Sequence, residues 1–198
     1  MMPAMFIKRF IVGLMKFWAE KKIRSIAIVG DRFIAGIRSR IIVGVNSHVM
    51  IANHVSFHAI ANVSDGAELT IGENTTIRFN TEINVARSIV IGRNVIISNN
   101  VVIADNDSHP TDINIRRMMC SADHDGVLWS NTHARCAPTV IDDDVWIGQR
   151  AMIMKGVHIG SGSIVAAGAV VTKNIPPHSL CFGNPAVIKT GKYLNVGD

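Results

Sequence analysis

Large aliphatic side chains recur at every sixth position through most of the chain. Ile51, Phe57 and Val63 form one triplet, and Ile71, Ile77 and Ile83 the next. Ile91, Ile97 and Ile103 follow, then Ile141, Ile147 and Ile153, then Ile159, Val165 and Val171. Four residues after each of these stands a second, smaller or β-branched residue, such as Val55, Ala61, Thr75, Val101, Ala151 or Ser163. Arg87 and Asp107 alone break that second rule. A helix of 3.6 residues per turn cannot present such a period on one face, and strict two-residue alternation does not persist. One large and one small inward residue per six describes a rung of a triangular coil, with three rungs to the turn and β-branched residues stacking on their equivalents. The position after the large residue is often Gly (Gly72, Gly92, Gly148, Gly160), which allows either a positive φ or a close backbone approach at a corner.

The interruptions all fall after the third rung. Val63 to Ile71 and Ile83 to Ile91 are eight residues apart, and Ile103 to Ile141 is 38, which is thirty beyond the expected eight. The spacing therefore predicts one enlarged corner, holding Arg87 and Asp107, from which a loop of residues 104–139 is extruded. Long loops inside a compact repeat usually carry function. Before the repeat, residues 5–24 read as an amphipathic helix. Ile7, Phe10, Ile11, Leu14, Phe17 and Trp18 lie on one side, and Arg9, Gly13, Lys16 and Glu20 on the other. The expected organisation is a helix over 1–24, a β-helix domain over 25–188 with irregular opening coils to about residue 50, and a tail over 189–198.

Composition refines this picture in three ways. Apolar residues make up 48% and aromatic ones only 6%, so the core is aliphatic. Three scattered cysteines, Cys120, Cys136 and Cys181, are too few for a disulfide framework and read as reduced thiols. Residues 1–40 hold nine Lys or Arg and two acids, a net +7, whereas the remainder is −2. The basic character thus belongs to the N-terminal fifth. The helix there either packs in the assembly or makes peripheral membrane contact. No window of 18 apolar residues suggests a membrane span, no signal peptide is evident, and no basic stripe through the body suggests nucleic acid.

The run from Ile141 to Lys189 carries Val145-Trp146-Ile147-Gly148, then Val171-Thr172-Lys173-Asn174-Ile175-Pro176-Pro177, then Gly183-Asn184-Pro185-Ala186. Upstream, Ile91 to Pro110 ends in His109-Pro110. In these motifs the chain resembles the hexapeptide-repeat acyltransferases, most closely the maltose/galactoside O-acetyltransferase-like branch and the bacterial polysaccharide O-acetyltransferases. The resemblance implies a left-handed parallel β-helix, a homotrimer with sites between neighbouring prisms, and acetyl-CoA as acyl donor. It implies that His109 is the general base, suited to take a proton from an acceptor hydroxyl near neutral pH. Asp105, Asp107 and Asp112 are the acids available to orient its ring. Donor contacts are implied for Trp146, Gln149, Ala167, Thr172, Lys173, Asn184, Pro185 and Lys189, with Arg150 and Lys155 as helpers. A thioester donor bearing phosphates wants cations and bare backbone N–H groups, and Ala166-Ala167-Gly168-Ala169 supplies the latter.

The acceptor half departs from the family. Aligned on Phe79 and His109, Arg78 stands where the family has an acceptor-binding Asn, Ala86 where it has an Asp, and Gln149 where it has a small Ser, while Asn80 matches a neighbouring Asn. Arg78 and Asn80 are the acceptor-side candidates. The reading is transfer of an acetyl group to a sugar hydroxyl of a surface polysaccharide or its precursor, in the cytoplasm or at the inner face of the membrane. N-acylation of an amino sugar and a non-enzymatic β-helix binding module are the alternatives. His48, His54 and His58 cluster near the first coil, and Asp123-His124-Asp125 and His133 lie in the loop. His54 and His58 fall at different rung positions and no third ligand stands in the right coil, so no metal is expected.

Overall fold

The computed structural model describes residues 4–122, 129 and 131–190. A helix, α1 (Ala4–Arg24), precedes a parallel β-helix whose rungs form three sheets. Sheet A comprises Ile28–Val29, His48–Ile51, Glu68–Ile71, Ser88–Ile91, Thr139–Ile141 and His158–Ile159. Sheet B runs from Ile34–Ala35 through Ser56–Phe57, Thr76–Ile77, Ile96–Ile97, Trp146–Ile147 and Ile164–Val165 to Ser179–Phe182. Sheet C holds Arg40–Val43, Ile60–Val63, Glu82–Val85, Val102–Ala104, Met152–Ile153 and Val170–Val171. The chain ends in an antiparallel hairpin, in which Val187–Thr190 returns along Ser179–Phe182 and reaches past the expected start of the tail. The Asp123-His124-Asp125 tip and the tail from residue 191 lie outside the described residues.

Every large position of the six-residue pattern is inward, at 3% exposure or less, and so is every small one. The register explains the breaks. Leu69 pairs with Ile89, twenty residues on, and Trp146 pairs with Ile164, eighteen on. Ile89 pairs with Thr139, fifty on, so the extruded loop adds thirty residues to a coil of otherwise unchanged geometry. It leaves after Val102–Ala104 of sheet C and returns at Thr139–Ile141 of sheet A.

Two expectations are corrected. Residues 25–50 are a regular coil, because Val29, Ala35 and Val43 stack under Ile51, Phe57 and Val63. Ala35 in a position otherwise held by a large residue hid the period. The extruded segment also contains a helix, α2 (Ile113–Ser121), capped by the Asp112 carboxylate, which accepts from the Asn114 and Ile115 amides at 2.7 and 3.2 Å.

The structure also decides the role of the corner glycines. A Cβ on Gly72 would sit 2.5 Å from the Gly92 backbone, and one on Gly148 would sit 2.6 Å from the Ala167 amide nitrogen. Close approach between coils is the constraint there. The left-handed backbone falls two residues after Gly72 and Gly92, on Asn74 and Asn94, and at the matching position of the next coil, Asp144. Their side chains form a ladder: Asn74 Nδ2 donates to Asn94 Oδ1 at 3.3 Å, and Asn94 Nδ2 to Asp144 Oδ1 at 2.9 Å.

Candidate active site

The predicted residues sort onto two edges of the prism. Arg78, Asn80, Gln149 and Ala167 all follow sheet B rungs and precede sheet C rungs, so they share the B–C edge. Lys155, Thr172, Lys173 and the loop bearing His109 follow sheet C rungs and share the C–A edge.

On the B–C edge, Thr76, Arg78, Ile96, Ser98, Asn99 and Gln149 line a groove of about 460 Å³. Trp146 points outward beside it, as its place between inward Val145 and Ile147 requires, and its indole Nε1 donates to Ser98 Oγ at 3.4 Å. The Asn99 side-chain oxygen is buried with no hydrogen-bond partner among the described residues, leaving an acceptor free. The Arg78 guanidinium stands 5.4 Å from the Phe79 ring centre, and Phe79 meets His58 edge to face at 4.5 Å. Burial, then the charges of Arg78 and Lys16, push the His58 imidazole below its ordinary value, so it is neutral near pH 7 and shares a hydrogen bond with Ser56 Oγ. Asn80 has a backbone role as well: it adopts φ 57°, and its amide donates to Asn100 Oδ1 at 3.4 Å. Ala167 is exposed and carries only a methyl group.

Gly183-Asn184-Pro185-Ala186 is the turn of the terminal hairpin, with a cis bond before Pro185. The turn docks on the sheet C strand through Val170 N to Gly183 O and Ala186 N to Val170 O, each 2.9 Å. Asn184 and Pro185 are exposed there, and Lys189 lies on the last strand with its ammonium 5.4 Å from the Phe182 ring centre.

On the C–A edge, His109 is exposed just beyond the point where the loop departs, and its backbone N–H donates to Asp107 O at 2.7 Å. Its ring packs perpendicular to Trp129 at 5.9 Å, within a small apolar recess of about 200 Å³ also lined by Arg116, Met119 and Cys120. Arg116 Nη1 donates to the carbonyls of Pro110 and Thr111, tying α2 to the segment that follows His109. Trp129 and Met119 were not foreseen, because nothing local to either residue signals a contact with residue 109. The three acids near His109 are all engaged elsewhere. Asp105 is buried and accepts from the Ala86, Arg87 and Ser88 amides at 2.7 Å each. Asp107 pairs with Lys155, and Asp112 caps α2. Among the described residues no carboxylate hydrogen-bonds the His109 ring; packing against Trp129 is what orients it. Thr172 and Lys173 are exposed on this same edge.

Two sequence-family models match the coils themselves: "Bacterial transferase hexapeptide (six repeats)" over residues 138–173 and "Hexapeptide repeat of succinyl-transferase" over residues 68–104. Residues 68–104 and 138–173 are thus hexapeptide repeats of the kind found in bacterial transferases. A Schizosaccharomyces pombe protein named a putative acetyltransferase is 55% identical to it over 49 residues, 25% of this chain and 24% of that one. The chain thus matches only about a quarter of the length of such curated relatives. Among solved structures, a hexapeptide-repeat-containing acetyltransferase from Vibrio cholerae, in complex with acetyl-coenzyme A, superposes with a TM-score of 0.58 at 26% identity. The superposition covers 85% of this chain and 73% of that one. The polysialic acid O-acetyltransferase OatWY shares the fold, with a TM-score of 0.66 at 23% identity over 86% and 78% of the two chains.

Proposed function

We propose that this hexapeptide-repeat protein is an acetyl-CoA-dependent O-acetyltransferase that modifies a sugar hydroxyl of a surface polysaccharide or its precursor, in the cytoplasm where the donor is made. The observation that carries the reading is the split of the candidate site. The base, His109, stands on one edge of sheet C and the groove with Arg78, Gln149 and Trp146 on the other. A homotrimer of side-by-side prisms turns that separation into juxtaposition, since the C–A edge of one chain then faces the B–C edge of its neighbour. The Vibrio cholerae relative, solved with acetyl-coenzyme A, supports the same donor here.

In this reading the His109 imidazole takes the proton of the acceptor hydroxyl as its oxygen attacks the thioester carbonyl. The tetrahedral oxyanion collapses, the C–S bond breaks, and the coenzyme A thiolate leaves and is protonated. Exposed backbone at Ala167 and the turn around Asn184 and Pro185 suit the amide-rich arm of the donor, and Thr172, Lys173 and Lys189 suit its polar and phosphate groups. Arg78 and Asn80, beside the groove, are placed to meet the acceptor.

Mixed assemblies test the split directly. His109→Ala and Ala167→Trp each inactivate a homogeneous trimer, one by removing the base and the other by filling the groove. Co-expressed in equal amounts, they regain about a quarter of wild-type turnover, because a site is whole when an intact base edge meets an intact groove edge. Turnover of the mixture no better than either parent, or a monomer by light scattering, excludes a site shared between chains. Lys173→Ala weakens coenzyme A binding measured by calorimetry while changing stability by less than about 0.5 kcal/mol, since its side chain is exposed. An unchanged affinity removes Lys173 from the donor site.

A further inference from the structure

The N-terminal helix packs on the prism through its more polar side. The side facing the prism carries Val12, Lys16, Ala19 and Ile23, with Ile23 fully buried. The Glu20 carboxylate accepts from the Ala35 amide at 3.2 Å and fixes the helix in this rotation on the first coil. The apolar side of residues 11–18 is turned outward. Ile11, Leu14, Met15 and Trp18 follow one another at helical spacing along a single exposed stripe, and Phe17 flanks it. Trp18 and Phe17 are each 57% exposed. The stripe continues into Lys21 and Lys22, both exposed, and the Lys21 ammonium lies 5.2 Å from the Trp18 ring centre.

We propose that this outward face of α1 binds the surface of a membrane carrying anionic phospholipid. Aromatic and aliphatic side chains followed by two lysines on one side of a helix are suited to the boundary between headgroups and acyl chains. Among the described residues no helix is long and apolar enough to cross a membrane, so α1 lies on the surface. Charge selects lipid over a second copy of the chain. Residues 1–40 are +7 and the remainder only −2, so a second copy brings the same positive face or a weakly charged body. An anionic bilayer brings the complementary charge. Because α1 contacts the first strand of each sheet, it lies at the end of the prism where the coil begins.

Sedimentation of the full chain with vesicles tests this without reference to catalysis. The wild-type protein pellets with vesicles containing phosphatidylglycerol, stays in solution with phosphatidylcholine alone, and is released as salt is raised. Phe17→Ser with Trp18→Ser lowers the apparent affinity by about tenfold or more, and Lys21→Glu with Lys22→Glu abolishes the salt-sensitive part. All four side chains are exposed, so melting temperatures match the wild type. The proposal is overturned if wild-type protein ignores phosphatidylglycerol vesicles, or if the Phe17/Trp18 variant binds them equally well. A fall in the light-scattering mass of that variant, with no vesicle binding by the wild type, assigns the face to a chain–chain contact instead.

Discussion

His109→Ala lowers kcat by about 10²–10⁴-fold and leaves the dissociation constant for coenzyme A unchanged, the range expected for loss of a general base. The side chain is exposed at the root of the loop, so its removal opens no cavity in the β-helix. Among the described residues its one ring contact is Trp129, 5.9 Å away on a different part of the loop. The variant therefore stays folded, and the defect appears in turnover alone. His133→Ala, in the short 3-10 helix Asn131–His133 of the same loop, keeps most activity and serves as the control. His124 lies outside the described residues and makes a second control from sequence. An amine acceptor with a low pKa needs less help from a base, so a small loss at His109 together with full activity toward an amino sugar selects N-acylation. A His109→Ala variant retaining more than half of wild-type turnover with a hydroxyl acceptor removes His109 as the base.

Asp105→Ala destabilises the protein by about 2–4 kcal/mol, the cost of stranding several donors once their shared acceptor is gone. Three consecutive amides, those of Ala86, Arg87 and Ser88, converge on the two oxygens of this carboxylate, and the Asn106 side chain donates to it as well. Asp105 is fully buried, so water cannot replace it. Asp105→Asn retains one acceptor oxygen but turns an NH₂ group toward the remaining amides, and it recovers only part of the loss. Because Asp105 also begins the loop, through Ala137 N to Asp105 O at 2.8 Å, the variant loosens the platform that carries His109. Urea denaturation reads the first effect and turnover the second. Stability within about 0.5 kcal/mol of wild type shows that the corner does not depend on this carboxylate.

A six-residue period is a local property that repeats, so the chain announced its own coils. Each large residue from Ile51 to Val171 needs only its neighbours in sequence to declare which way it points, and the breaks in spacing located the corner and the loop. The same periodicity failed at Ala35, where a methyl group fills a position usually held by a larger side chain and stacks under Phe57. Amphipathicity likewise named the apolar side of α1 without saying which side packs. The Glu20 hydrogen bond to Ala35 and the burial of Ile23 settled that, and both depend on the helix meeting the end of the prism.

The candidate site divides along the same line. Motifs marked His109, Trp146, Lys173 and Asn184 because each sits in a short run that can be read in order. The sequence by itself thus determined the coil, its enlarged corner, the extruded loop and the residue types available for chemistry. Only the tertiary structure decided that Asp105 serves the corner, that Asp107 answers Lys155, that Trp129 and α2 surround His109, and that His109 and the groove occupy different edges. The contacts of Asp105, Asp107 and Trp129 join residues 17 to 48 positions apart, brought together by stacking of coils and folding of the loop, and no local pattern of hydrophobic and polar residues encodes such a pairing.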